Sequence, residues 1–157
     1  MTAHVTQTST QTIEPQARRW LRLEGLAVFV AAVAAFGQLG GEYLWLVPAL
    51  LLPDLAMIGY LAGPRIGALA YNAVHNWAFG IAVGAVGIAL GAVPITLAGV
   101  ILIAHTGMDR SVGYGLKFMS GFHDTHLGRV GRSSAAAPAT TTSVIGNGPA
   151  TAGTSAR

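Results

Sequence analysis

Near the end of the last apolar run, PITLAGVILIAHTGMDR at 94–110, His105 and Asp109 stand four residues apart. That spacing puts both side chains on one face of a helix. An imidazole and a carboxylate so placed can share a metal ion, pass a proton, or hold each other as an ion pair. Three more ionisable residues interrupt apolar stretches: Glu24, Asp54 and His75. Such groups are costly in an apolar setting, so they are expected to face one another or water rather than lipid.

The elements that must position them follow from composition. Of 157 residues, 52% are apolar and only 10% charged, against about 25% charged in an average soluble domain. So few charges cannot clothe a water-facing surface, and the deficit points to a lipid bilayer as partner. The absence of cysteine excludes disulfides and thiolate metal ligands. The net charge of +3 gives no sign of nucleic-acid binding. Residues 1–17 are rich in Thr, Gln and Ser, and 133–157 in Ala, Thr, Ser, Gly and Pro. Both read as disordered tails around one domain at 18–132.

Within that domain the apolar pattern predicts four membrane spans, at about 21–39, 43–62, 66–90 and 94–110. Gly40-Gly41, Gly63-Pro64 and the stretch Gly91 to Pro94 separate them. Short connections make successive helices antiparallel. The predicted fold is therefore all-α: a four-helix antiparallel transmembrane bundle. A cleavable signal peptide is a competing reading of the first run, but its length, its Glu24 and the three further spans argue against it. Arg18, Arg19, Arg22, Arg65, Arg110, Lys117, Arg129 and Arg132 all fall on one side of such a bundle. By the positive-inside rule that side is cytoplasmic, as are both termini, in a multi-pass protein of a plasma (inner) membrane. Residues 111–130 carry too many charges and glycines for a fifth span. They are expected to lie on the headgroups, with Leu116, Phe118, Met119 and Phe122 dipping in.

Depth brings the polar residues together. At 1.5 Å per residue, Asp54 lies about 16 Å below Tyr43, His75 roughly 13 Å above Ile66, and His105 about 16 Å below Pro94. Three residues on three spans thus meet near mid-membrane, with Glu24 and Asp109 closer to the cytoplasmic surface. Acids and imidazoles are ligands of zinc, iron and manganese. Glu24, Asp54, His75, His105 and Asp109 are accordingly the predicted ligands of a divalent metal, with Asn72 as an outer partner. A metal there would suit a small redox or hydrolytic reaction at the cytoplasmic leaflet. The same residues could instead titrate in turn along a proton or ion pathway. They could also be bundle glue in a structural or partner-binding subunit, for example Glu24 with Arg110 and Asp54 with His105.

Three smaller features complete the reading. Pro48 and Pro53 predict a kink in span two beside Asp54. Gly80, Gly84, Gly87 and Gly91 make a small-residue stripe for close helix packing, within one chain or in a homo-oligomer. Asn76 extends that stripe, whereas His75 lies roughly 150° away, so span three is contacted on two sides or is disturbed near Asn76. His123, Asp124 and His126 in the run HDTHLG could form a small aqueous metal site or a cover for the bundle's inner mouth.

The stretches LRLEGLAVF at 21–29, LLPDLAMIGYLAGPRIGALAYNAVH at 51–75, and AHTGMDRSVGYGLKF with GFHDTHLG at 104–128 resemble the bacterial domain-of-unknown-function family 4260. The resemblance covers nearly all of the domain and implies a small four-span integral membrane protein. It assigns no catalytic residues, so the proposed ligands rest on the depth argument alone.

Overall fold

Prolines and glycines cut the apolar chain into helices. A computed structural model describes residues 14–130. Most of the predicted tails lies outside the described residues, but α1 already begins at Pro15, inside the expected N-terminal tail. The elements are α1 Pro15–Gln38, α2 Tyr43–Leu50, a 3-10 helix Pro53–Ala62, α3 Pro64–Val74, α4 Trp77–Ala89 and α5 Val93–Val112. A two-stranded hairpin follows, with β1 Asp124–Thr125 and β2 Gly128–Arg129 antiparallel. Proline opens α1, the 3-10 helix and α3, a position where its missing N–H costs nothing.

Two of the expected spans are not continuous α-helices. The stretch 43–62 is α-helical only to Leu50 and then tightens into the 3-10 helix. The stretch 66–90 breaks between α3 and α4 at His75 and Asn76. Among the described residues two helical stretches, Pro15–Gln38 and Tyr43–Ala62, are long and apolar enough to cross a membrane.

The centre of the fold is α5, which lies along α1 on one side and α4 on the other. Small residues permit this approach. A Cβ at Gly99 would overlap the backbone of Gly84 on α4, and one at Gly107 would stand 2.8 Å from the Gly25 carbonyl on α1. Gly80 and Gly87 likewise face Ile103 and Thr96 of α5. The stripe considered for a second copy is thus occupied by α5 of its own chain, and Gly91 sits in the α4–α5 turn at φ +61°. The apolar core gathers Ala32 and Phe36 of α1, Leu46 and Leu50 of α2, and Ala104 of α5.

One end of the molecule collects the start of α1, the end of α5 and the hairpin. Arg22 donates a hydrogen bond to the Val112 carbonyl, a cation on the unsatisfied end of a helix. Tyr60, at the end of the 3-10 helix, meets Phe122 edge-on at 5.3 Å. The region 111–130 is partly helix and partly hairpin. Phe118 and Met119 project outward, while Lys117, Thr125 and Leu127 are buried.

Candidate metal centre

The site is built from two interruptions in helical hydrogen bonding. In a continuous helix the Leu50 carbonyl would accept from the Asp54 N–H. Pro53 has no N–H to offer, and Asp54 turns its N–H to Leu51 at 3.2 Å in the tighter 3-10 pattern. The Leu50 carbonyl is left free, and His105 Nδ1 on α5 donates to it at 2.6 Å. The proline beside Asp54 therefore frees the Leu50 carbonyl to anchor a histidine 55 residues further along the chain.

The second interruption is held by Asn76. Its Nδ2 donates to the carbonyls of Asn72 and Ala73 at 2.7 and 2.8 Å, closing the end of α3. Its Oδ1 accepts from the Phe79 N–H at 2.9 Å, opening α4. His75 is the last residue before this joint. Its Nδ1 donates to the Tyr71 carbonyl at 2.8 Å, and its ring stacks on that of Tyr71 at 3.6 Å.

These anchors fix the tautomers. A carbonyl only accepts, so each imidazole carries a proton on Nδ1, and each neutral ring has a bare lone pair on Nε2. The two Nε2 atoms face each other at 2.9 Å, with side chains 2% and 0% exposed. Asp54 Oδ1 lies 3.4 Å from His75 Nε2 and 3.5 Å from His105 Nε2. Asp109 Oδ2 lies 3.9 and 3.8 Å from the same atoms, and the Tyr71 hydroxyl donates to it at 2.7 Å. Facing lone pairs ringed by carboxylate oxygens repel unless something positive lies among them.

The donor set fits a metal ion. Bonds of about 2.0–2.1 Å to a tetrahedral centre hold ligand atoms about 3.3 Å apart; the Asp54, His75 and His105 atoms here are spaced 2.9–3.5 Å, and the Asp109 oxygen lies 3.8–3.9 Å from the two nitrogens. Asp54, His75 and His105 form the tightest group, two imidazoles and one carboxylate, a set used by non-haem iron as well as zinc. Each histidine already donates its other N–H to a carbonyl, the outer support that metal-bound histidines have.

The predicted ligands thus divide. Asp54, His75, His105 and Asp109 come together. Glu24 is on the exposed side of α1, because its neighbour Gly25 is the residue turned toward α5. Asn72 belongs to the hairpin: its amide donates to the Lys117 carbonyl at 2.8 Å and accepts from the Lys117 N–H at 2.7 Å. His123, Asp124 and His126 form no centre of their own. His123 Nδ1 donates to Val130 at 2.9 Å, Asp124 accepts from Ser120 at 2.9 Å, and His126 Nδ1 accepts from the Leu116 N–H at 2.8 Å.

Two residues at the site escaped sequence reasoning. Tyr71 lies four before His75, a helical spacing that pairs them, but an aromatic residue in an apolar run draws no notice. Lys117 carried no signal. It is 3% exposed, its Nζ has no hydrogen-bond partner, and the rings of Phe122, Tyr71 and Tyr114 surround it at 4.1, 5.2 and 5.4 Å. Burial pushes its ammonium below the usual lysine range, partly opposed by the charges of Asp109 and Asp54.

No curated protein and no solved structure matches the chain significantly. Residues 18–130, nearly all of those described, match the family described as a domain of unknown function (DUF4260), and the chain belongs to that family.

Proposed function

We propose that the protein is a multi-pass integral membrane protein that holds a divalent metal ion in the cytoplasmic half of a four-helix bundle. In this reading α1 forms the first crossing, α2 with the 3-10 helix the second, α3 with α4 the third, and α5 the last. The outward surface supports it, since Leu61 and Leu44 are 89% and 79% exposed with many other large apolar side chains, a surface suited to lipid. Arg18, Arg22, Arg110, Lys117 and Arg129 gather at the hairpin end, which in this reading is cytoplasmic together with both termini. Reporter fusions at the two ends test this orientation; signals from opposite sides of the membrane would overturn it.

The observation that carries the metal reading is the 2.9 Å approach of two Nε2 atoms whose Nδ1 protons are already committed to carbonyls. His75, His105 and Asp54 are the ligands, and Asp109, steadied by Tyr71, is the fourth. A divalent ion there would supply a Lewis acid held by two buried imidazoles. Metal analysis of purified protein is the test. Wild type is expected to carry about one zinc, iron or manganese per chain, as such a site requires, and His75→Ala and His105→Ala to carry none. Equal and negligible metal in all three would remove the proposal.

The same approach also suits one proton shared between the imidazoles, with Asp54 as the exchange partner at the exposed edge, its side chain 37% accessible. This second reading predicts proton flux in liposomes that Asp54→Asn abolishes. No flux from either protein counts against it.

A further inference from the structure

The side chain of Lys117 is held where it does not reach water. Asn72 clasps its backbone on one side, and Thr125 of the hairpin pairs with it on the other. A lysine near a surface ordinarily turns its ammonium outward. Here the Nζ is buried and has no hydrogen-bond partner. The faces of Phe122, Tyr71 and Tyr114 attract its charge, but no ring replaces an acceptor oxygen for the N–H donors of an ammonium. A second orphan belongs to the same cluster. The Tyr60 hydroxyl is also buried without a partner, and its ring meets edge-on the Phe122 ring that lies 4.1 Å from Nζ. Two residues with unsatisfied donors thus border one phenylalanine.

Charge says what is missing. Asp109 and Asp54 are the acids that act on Lys117, but neither bonds it. Asp109 accepts from Tyr71, and both carboxylates turn toward the imidazoles. With a divalent ion among them, two carboxylates and two neutral imidazoles carry no net charge. Arg110 is engaged elsewhere, over Trp77 and beside His126. The Lys117 ammonium is then one uncompensated positive charge. It adjoins the centre, because Tyr71 stacks on His75 at 3.6 Å and the Nζ stands 5.2 Å from that same ring. A carboxylate brings the single negative charge required and two oxygens, one for each orphan. A phosphate monoester, at about −1.5 to −2, would leave the pocket negative beside two acids. Phe122 and Tyr114 reach the surface whereas Tyr71 is buried, so the way in passes beneath Phe122.

We propose that Lys117 and Tyr60 form a carboxylate-binding site under Phe122, and that the carboxylate belongs to the molecule that meets the metal centre, a small organic acid. That substrate class rests on the metal reading; the two orphaned side chains are there without it.

The experiment uses the full chain and acetate as probe, followed by saturation-transfer NMR. Acetate should bind saturably, and neither acetamide, which has its shape but no charge, nor inorganic phosphate should displace it. Lys117→Met exchanges the buried charge for an apolar chain of similar length and should weaken acetate about 10–100-fold, the worth of a hydrogen bond to a charged group. Tyr60→Phe removes only a hydroxyl and should weaken it about 2–10-fold. Undiminished binding in both variants overturns the proposal, and phosphate that displaces acetate as readily as another carboxylate overturns the match of charge. Manganese bound to wild type should speed the relaxation of the bound acetate methyl protons. His75→Ala should keep acetate and lose that effect. Acetate and manganese bound together without faster relaxation would overturn the link between the two sites. Acetate binding in a protein that takes up no manganese would remove the metal reading and leave the carboxylate site standing.

Discussion

His75 and His105, thirty residues apart in the chain, present their Nε2 atoms to each other at 2.9 Å. Neither histidine chose this geometry alone. One sits at the joint between α3 and α4, and the other is tethered to a carbonyl freed by Pro53. Both rings are buried, so the contact is a demand that some cation must meet.

Metal should therefore stabilise the fold. A ligand that binds only the folded state adds about 2.7 kcal/mol at one hundred times its dissociation constant. Thermal melting of the purified protein is expected to fall on treatment with a chelator and to recover when zinc or manganese is restored. His75→Ala should melt at one temperature with or without metal. A wild-type melting curve indifferent to metal would contradict the proposed centre.

Pro53→Ala separates the fold from the site. The new N–H at position 53 can rejoin the α-helical ladder through Ala49, and the Asp54 N–H can return to Leu50. That takes from His105 the carbonyl that fixes its ring. Loss of an outer support of this kind costs about 10–100-fold in metal affinity. Titration with zinc should show a drop of that order, while circular dichroism shows helix content unchanged or raised. Unchanged affinity would mean that the Leu50 carbonyl does not hold the ring.

Asn76 can be dissected by chemistry. Asn76→Ala removes one cap and leaves two α3 carbonyls without their donor, and it should destabilise by about 1–3 kcal/mol. Asn76→Asp keeps an oxygen for the Phe79 N–H but turns a second oxygen toward those carbonyls. It should be at least as destabilising as alanine. If aspartate matches wild type in a reversible unfolding assay, the N-cap alone matters and the double closure does not.

Much of this was readable from residue types. Hydropathy and the glycine-proline punctuation gave the turns, and Pro48 and Pro53 announced a kink beside Asp54, which the structure resolves as a change to 3-10 helix. The depth argument placed Asp54, His75 and His105 together because their distances along successive spans match. Direction was harder. Nothing local says that α1 turns Gly25, and not Glu24, toward α5; the tight fit with Gly107 and Arg110 decides it. The break at His75 was legible only as an unresolved conflict between two faces of one helix. Lys117 lay beyond reach, because Asn72, forty-five residues earlier, holds its backbone and the ring of Tyr71 stands over its ammonium.

The hairpin should loosen in acid. His126 Nδ1 accepts from the Leu116 N–H, so its proton sits on Nε2, which faces Arg110 at 3.2 Å. Protonating Nδ1 would break the bond to Leu116. Burial, aided by the Arg110 charge, holds this imidazole below the usual histidine range. The unfolded hairpin then takes up a proton at higher pH than the folded one. Its stability is full above the ordinary histidine range and falls as the pH drops into and below it. Hydrogen exchange at the Leu116 amide, corrected for its intrinsic rate, should quicken between pH 8 and pH 5, and His126→Ala should lose that dependence. His123→Ala should keep it, since His123 donates to Val130 in either charge state. An exchange rate flat across this range in wild type would show that His126 does not hold the hairpin.

The packing of α5 yields the sharpest contrast. At Gly99 an added methyl would strike the backbone of Gly84, which cannot give way unless the helices separate. At Gly84 an added methyl would meet only the Gly99 Cα at 3.9 Å, an ordinary contact. Two glycines that face each other thus differ in tolerance. Gly84→Ala also gains helix propensity, worth about 0.5–1 kcal/mol over glycine, and should be neutral or slightly stabilising. Gly99→Ala gains the same propensity but must push α4 and α5 apart along the seam that positions His105, and overpacking of this kind costs about 1–3 kcal/mol. It should lower both melting temperature and metal content, while Gly84→Ala leaves both intact. Equal effects from the two substitutions would mean that the helices do not meet in this register.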